Sequence, residues 1–251
     1  MDRRIGRALF VLALAATVLL PIGHALGASP VLPDLRMRTV SKVAIDESSI
    51  PGHKLLRYTT RIVNAGVGPF EVTASRPSTN QALMPVTQNI YQSDGSILAT
   101  PTDTTLIWGG DGHNHWHVNN LEGADLRPEG GGGVLATAKQ GFHAADGGAW
   151  NLQLPNAPQQ KVYKACYKRS CQIGALNVGE GISVGWMDTY GYLLVNQWID
   201  ITDLADGRYV LMLYADPNHS FTEANPNNNT ASATLSISGS TVRVLSRTGG
   251  V

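Results

Sequence analysis

Three of the chain's seven histidines, His113, His115 and His117, stand at alternate positions in one short segment. On an extended strand alternate side chains share a face, so the three imidazoles would project together while Asn114 and Trp116 turn the other way. Three neutral imidazoles on one face form a site for a divalent transition metal, and the spacing alone admits zinc, nickel or copper. No fourth side-chain ligand follows His117 within the motif. A metal held there keeps positions open to water, oxygen or substrate. The other pair able to form bonds of its own is Cys166 and Cys171, with four residues between them.

The surroundings of these residues point to export. Arg3, Arg4 and Arg7 precede an apolar run from Ala8 to Ile22, and Ala25-Leu26-Gly27-Ala28 offers small residues for cleavage, so residues 1–28 read as a signal peptide. The run is short for a membrane span and no second one follows, so no stable membrane insertion is expected after cleavage. In an oxidising compartment the two cysteines are expected as one local disulfide, in preference to a thiolate pair on a soft metal. So short a loop gains little chain entropy, and the bond would mainly fix the shape of one surface loop. The formal net charge is +0 and 15% of residues are charged, which argues against nucleic acid as a partner.

The elements that must hold the histidines read as short strands. Leu55 to Val63 alternates, with Leu56, Tyr58, Thr60 and Ile62 on one face, and predicts a single half-buried strand. Ser93-Asp94-Gly95 between two apolar runs predicts a hairpin. Arg208 to Ala215 is a continuous apolar run expected as a buried strand. Ala231 to Ile237 alternates cleanly. The glycine run 130–133 lacks the GK[ST] ending and helix of a phosphate loop and reads as a turn. No amphipathic helix of useful length is present. The expectation is an all-β chain, a β-sandwich with long irregular loops and little helix, forming one domain over residues 29–251.

Three stretches then converge on one family. His113-Asn114-His115-Trp116-His117 resembles the copper motif of the lysyl oxidases. Asp188-Thr189-Tyr190-Gly191 with Gln197-Trp198-Ile199-Asp200-Ile201-Thr202-Asp203 is similar to that family's DTYG…QWIDITD segment. Gly207 to Leu211 through Glu223-Ala224-Asn225-Pro226-Asn227-Asn228-Asn229 is similar to its last strand and acidic, Asn-rich loop. Pro33-Asp34-Leu35 resembles the start of its catalytic domain. The resemblance spans roughly Asp34 to Ile237.

The resemblance implies a secreted, bacterial-type copper amine oxidase whose organic cofactor, lysine tyrosylquinone, is built from its own side chains. His113, His115 and His117 would hold copper. Tyr190 occupies the place of the modified tyrosine. Lys139, three residues before Phe142, is similar to the family's quinone lysine, although Thr137-Ala138 replaces the usual Gly-His. Lys161, Lys164 and Lys168 also lie between Lys139 and Tyr190 and read as surface charges. Asp188 is either the catalytic base or a turn carboxylate capping backbone amides. Asp34, the Leu35 carbonyl, Glu223, Asn225, Asn228 and Asn229 match the family's calcium site, with Asn225 where aspartate is usual. The implied partners are O2 and a primary amine, either a small amine or a lysine-bearing protein. A competing reading is a secreted copper-binding or adhesive β-sandwich that makes no quinone.

Overall fold

The computed structural model describes residues 27–110 and 112–251, the side chains of Lys139 and Gln140 apart. All but the last two residues of the expected signal peptide lie outside the described residues. The described chain is all-β, and its single helical segment is the 3-10 turn Tyr167–Arg169. No helix among the described residues is long and apolar enough to cross a membrane.

The largest sheet runs in the order Asn177–Ile182, Phe70–Ser75, Leu83–Gln92, Ile97–Trp108, Trp116–Pro128, Gly207–Ala215, Thr230–Ser238 and Thr241–Gly249, and two further strands pair off this path. Two smaller sheets complete the sandwich. One holds Gly148–Ala149, Trp186–Tyr190, Thr60–Asn64 and Leu35–Met37; the other holds Trp198–Asp200, Leu55–Tyr58 and Val43–Asp46. Inward side chains such as Phe70, Met84, Leu106, Trp116, Leu126, Leu211 and Leu235 meet Leu35, Leu56 and Ile62 in one core. Each large apolar side chain buried there contributes roughly 1.5–3 kcal/mol, which is what holds the sheets together.

The expected hairpin is present, with Gly95 at φ 84° between Leu83–Gln92 and Ile97–Trp108. Thr230–Ser238 alternates as expected, burying Ala231, Ala233, Leu235 and Ile237. Two expectations are corrected. Residues 55–63 are not one strand: Leu55–Tyr58 and Thr60–Asn64 belong to different sheets, and the chain crosses between them at Thr59. Packing between sheets also buries both faces there, Arg57 included, whose guanidinium is held by Asp46 and the carbonyls of Tyr192 and Leu194. Arg208 to Ala215 is only half-buried, with Tyr209, Leu211, Leu213 and Ala215 inward and the alternate side chains partly exposed or exposed.

Trp116–Pro128 carries the histidine motif into the sheet. On one flank it pairs with Ala136–Phe142. On the other it pairs first with Ile97–Trp108, over residues 116–118, and then with Gly207–Ala215, over residues 122–128. Asn120, at φ 57°, lies in the gap where one neighbour replaces the other. A left-handed residue of this kind bends a strand, and asparagine tolerates that conformation better than most.

Candidate metal centre

The three histidines do converge, but not on a regular strand as expected. The strand begins at Trp116, so only His117 lies on it, and His113 and His115 precede it in irregular chain. A tight turn in which the His115 amide donates to the His113 carbonyl (2.8 Å) brings the first two rings back beside the third. One ligand nitrogen from each of His113, His115 and His117 lies within 4.8 Å of the others. The donor set, neutral imidazoles gathered within the reach of one ion, fits a Cu(II) or Zn(II) ion. Trp116 does turn away as expected, into the core against Trp108 with ring centroids 5.7 Å apart.

Backbone without side chains makes room for the third ring. A Cβ on Gly141 would sit 2.8 Å from His117 Cβ, and one on Gly109 would sit 2.5 Å from His117 Cε1. Gly141→Ala should therefore displace His117 and cost about 1–3 kcal/mol of stability. Urea unfolding and copper titration check this; wild-type stability with undiminished copper uptake would refute it.

Tyr190, at the end of Trp186–Tyr190 in the small sheet, faces the histidines across the sandwich. Its hydroxyl lies 3.5 Å from His115 Nε2 and accepts the His143 backbone N–H at 2.9 Å. Its ring stacks on Phe142 at 4.3 Å. Burial, with Asp188, Glu180 and Glu122 adding negative charge, pushes the Tyr190 phenol well above its ordinary range. Without a cation nearby it is a neutral phenol.

Asp188 shares with Tyr190, His113, His115 and Lys161 a cavity of about 270 Å³. Its carboxylate accepts the Thr189 amide at 2.8 Å, so it does cap the local backbone. Burial, outweighing that bond, pushes its carboxyl up to about 7. The bond to Thr189 is the backbone cap expected as one of the two alternatives. The Lys139 backbone pairs with Gly123 in Ala136–Phe142, two residues before Gly141. Among the rival lysines, Lys168 is bound to Glu71 at 2.8 Å. Lys161 and Lys164 are both exposed, and Lys161 donates to the Gly147 carbonyl at 3.0 Å at the rim of the cavity.

Four buried groups around this centre carry no sequence motif and escape sequence reasoning. Glu122 accepts from Thr60 Oγ1 (2.6 Å) and Gln197 Nε2 (2.8 Å), and burial pushes it up to about 7. Glu180 accepts the Ala144 amide (3.0 Å) and is pushed well above the carboxylate range by burial. His143 packs its ring 4.5 Å from that of His115, and burial lowers its pKa well below the ordinary value. Ser170 joins His143 at 3.1 Å. The usable signal was the lone carboxylate inside an apolar strand, as in Leu121-Glu122-Gly123-Ala124 and Val178-Gly179-Glu180-Gly181.

The expected disulfide joins Cys166 and Cys171. Within its loop Lys168 and Arg169 both hold positive φ, 41° and 67°. Side chains other than glycine pay roughly 1–2 kcal/mol each for that conformation, so the closed loop holds a shape its residues do not favour.

A second cluster joins the two ends of the described chain. The Leu35 amide donates to Glu223 Oε2 (2.8 Å), Asn229 Nδ2 to Glu223 Oε1 (2.6 Å) and Asn228 Nδ2 to Asp34 Oδ2 (3.3 Å). Asp34 Oδ1, Asn228 Oδ1 and Asn229 Oδ1 are buried with no hydrogen-bond donor. Leftover carboxylate and amide oxygens of this kind fit a hard cation. Burial, with Asp216 and Asp34 nearby, pushes the Glu223 carboxyl up to about 7. Asn225 does not join them in this arrangement: it is exposed, and its Oδ1 accepts the Asn227 amide at 3.1 Å.

Residues 154–246 match the lysyl oxidase family model. The chain is 32% identical over 126 residues to human lysyl oxidase homolog 3, covering 45% of this chain and 17% of that protein. It is 26% identical over 178 residues to human lysyl oxidase homolog 4, covering 70% of this chain and 18% of that protein. A 54-residue stretch is 43% identical to zebrafish lysyl oxidase homolog 2B, covering 21% of this chain and 7% of that protein. The chain therefore spans less than a fifth of the length of these relatives.

Proposed function

We propose that this protein is a secreted copper amine oxidase of the lysyl oxidase family, exported by a signal peptide over residues 1–28 and acting through one β-sandwich domain over residues 29–251. It would convert a primary amine, either peptidyl lysine or a small amine, O2 and water to the aldehyde, ammonia and hydrogen peroxide. The observation that carries this reading is the Tyr190 hydroxyl, 3.5 Å from His115 Nε2 in the three-histidine cluster. His113, His115 and His117 would hold copper, and Lys139 and Tyr190 would supply the quinone. Copper held by the three imidazoles would supply positive charge beside a phenol that burial holds neutral and redox chemistry with oxygen, and a quinone from Lys139 and Tyr190 would supply the electron sink for the amine.

The chain's own residues do the rest. Phe142 and the His143 amide fix the Tyr190 ring in one orientation. Asp188, with a carboxyl near 7, is matched to accept a proton from a bound amine at neutral pH. The oxygens of Asp34, Glu223, Asn228 and Asn229 would hold calcium, and the Leu35 carbonyl would join them, with Asn225 completing the set only by turning from the Asn227 amide to which it is bound here. That ion would tie the first strand of the small sheet to the Asn-rich loop.

A second reading, a copper-binding or adhesive module without a quinone, rests on one observation: the family match over residues 154–246 includes Tyr190 but stops short of the histidines and Lys139. Peptide mass analysis of copper-loaded, oxygen-exposed protein separates the two. The first reading expects the Lys139 and Tyr190 peptides crosslinked, with a visible band that phenylhydrazine shifts. Unmodified peptides on a copper-loaded protein that releases no peroxide with amines would establish the second, and a crosslink to Lys161 would reassign the lysine.

A further inference from the structure

The Cys166–Cys171 loop does more than shape the surface. Its Ser170 and the adjoining Gln172 hold Trp116 inside the histidine motif, and Ser170 also reaches His143 behind His115. The Ser170 carbonyl accepts the Trp116 backbone N–H at 2.8 Å, at the residue between His115 and His117. The Gln172 carbonyl accepts the Trp116 indole N–H at 3.0 Å. The Ser170 hydroxyl meets His143 Nε2 at 3.1 Å, and the His143 ring packs against His115.

The hydroxyl also settles a proton. Ser170 Oγ donates its one hydrogen to the Ala165 carbonyl, at 3.0 Å. It must therefore accept from His143, which fixes the hydrogen of that imidazole on Nε2. Ser170 is fully buried and His143 nearly so, so solvent does not compete for these bonds. From the other side the Arg76 guanidinium lies 4.8 Å over the Trp116 ring and donates to the carbonyls of Ala175, Gln81 and Ile173. Trp116 is thus clamped between Arg76 and the disulfide loop.

We infer that Ser170, held in place by the Cys166–Cys171 bond, is a positioning residue for the metal centre. Its carbonyl sets the main chain between two ligands, and its hydroxyl sets the His143 ring that backs His115. The inference rests on the metal reading above, and its test keeps the two apart. The variants are Ser170→Ala, which removes the hydroxyl but keeps the carbonyl, and Cys166→Ala with Cys171→Ala, which opens the loop. Folding of each is checked by circular dichroism.

In metal-free protein, hydrogen exchange at the Trp116 amide should rise about 10-fold or more in the cysteine variant, while the Thr230–Ser238 strand keeps its protection. With Cu(II) as probe, both variants should show altered hyperfine splitting in the electron paramagnetic resonance spectrum. Their affinity should fall about 10- to 100-fold, the usual effect of removing a group that orients a ligand. Folded variants with wild-type exchange, spectrum and affinity would overturn the inference. A cysteine variant that loses protection at Trp116, in a protein whose wild type takes up no copper, would overturn the metal reading and leave the hold on Trp116 supported.

Discussion

Tyr190→Phe protein is expected to fold and bind copper yet release no amine-dependent peroxide. The ring survives the change and keeps its stack on Phe142. What is lost is the oxygen that faces His115 and accepts the His143 amide. That amide then lacks a partner in a buried place, a cost of about 1–3 kcal/mol. At roughly 2–4 °C per kcal/mol for a domain of this size, the melting temperature should drop by several degrees without abolishing the fold. Activity behaves differently, because a phenyl ring cannot become a quinone. Peroxide release should fall at least about 1000-fold, to background, and the visible band should be absent. A Tyr190→Phe protein retaining a tenth of wild-type turnover would sink the assignment of Tyr190, whatever its copper content.

The second large effect concerns the oxygen cluster. Adding a chelator selective for calcium at pH 8 is expected to lower the melting temperature by roughly 5–10 °C. The basis is a site saturated to about 100 times its dissociation constant, worth about 2.7 kcal/mol. The pH dependence has a definite sign. In metal-free protein the Glu223 carboxyl lies near 7 against an ordinary 4.5, so the folded state binds that proton more tightly than the unfolded chain. Its contribution to stability is full below about 4.5 and is lost as pH rises through about 7. Calcium favours the ionised carboxylate, so the calcium-dependent gain in melting temperature should be largest above pH 7 and shrink toward pH 5. Asn225→Asp, which adds a negative charge beside the cluster, should tighten calcium binding. Equal melting temperatures with and without chelator at pH 8 would dispose of the site.

Local chemistry was legible in the sequence; the meeting of distant parts was not. The histidine spacing identified the cluster, because three ligands within five residues need little tertiary help to come together. The alternation of Ala231 to Ile237 predicted its burial because one face of that strand meets the core and the other does not. The same rule failed over residues 55–63, since alternation continues through Thr59 while the chain passes from one sheet to another. Arg208 to Ala215 looked uniformly apolar, yet Val210, Met212 and Tyr214 remain partly exposed beside the buried residues. Glu122 and Glu180 stand out as lone carboxylates in apolar strands, whereas His143 and Ser170 carry no such signal; the roles of all four are set by contacts far away in sequence. For Asp188 the sequence left open a base or a turn carboxylate; the structure adds a bond to the Thr189 amide and a place on the cavity wall, neither of which a local pattern reveals.

The division of the centre between two sheets has a consequence for how the protein matures. The histidines form one compact segment beside the large sheet, whereas Tyr190 comes from the small one. A nascent chain carries the whole imidazole set in five residues before any sheet has closed. The tyrosine reaches those imidazoles only when the sheets dock, because long-range contacts form after local ones. On the proposed function, oxidative self-modification would thereby be restricted to molecules that have completed their tertiary structure, and an unfinished chain would be spared redox damage to its own aromatic side chains.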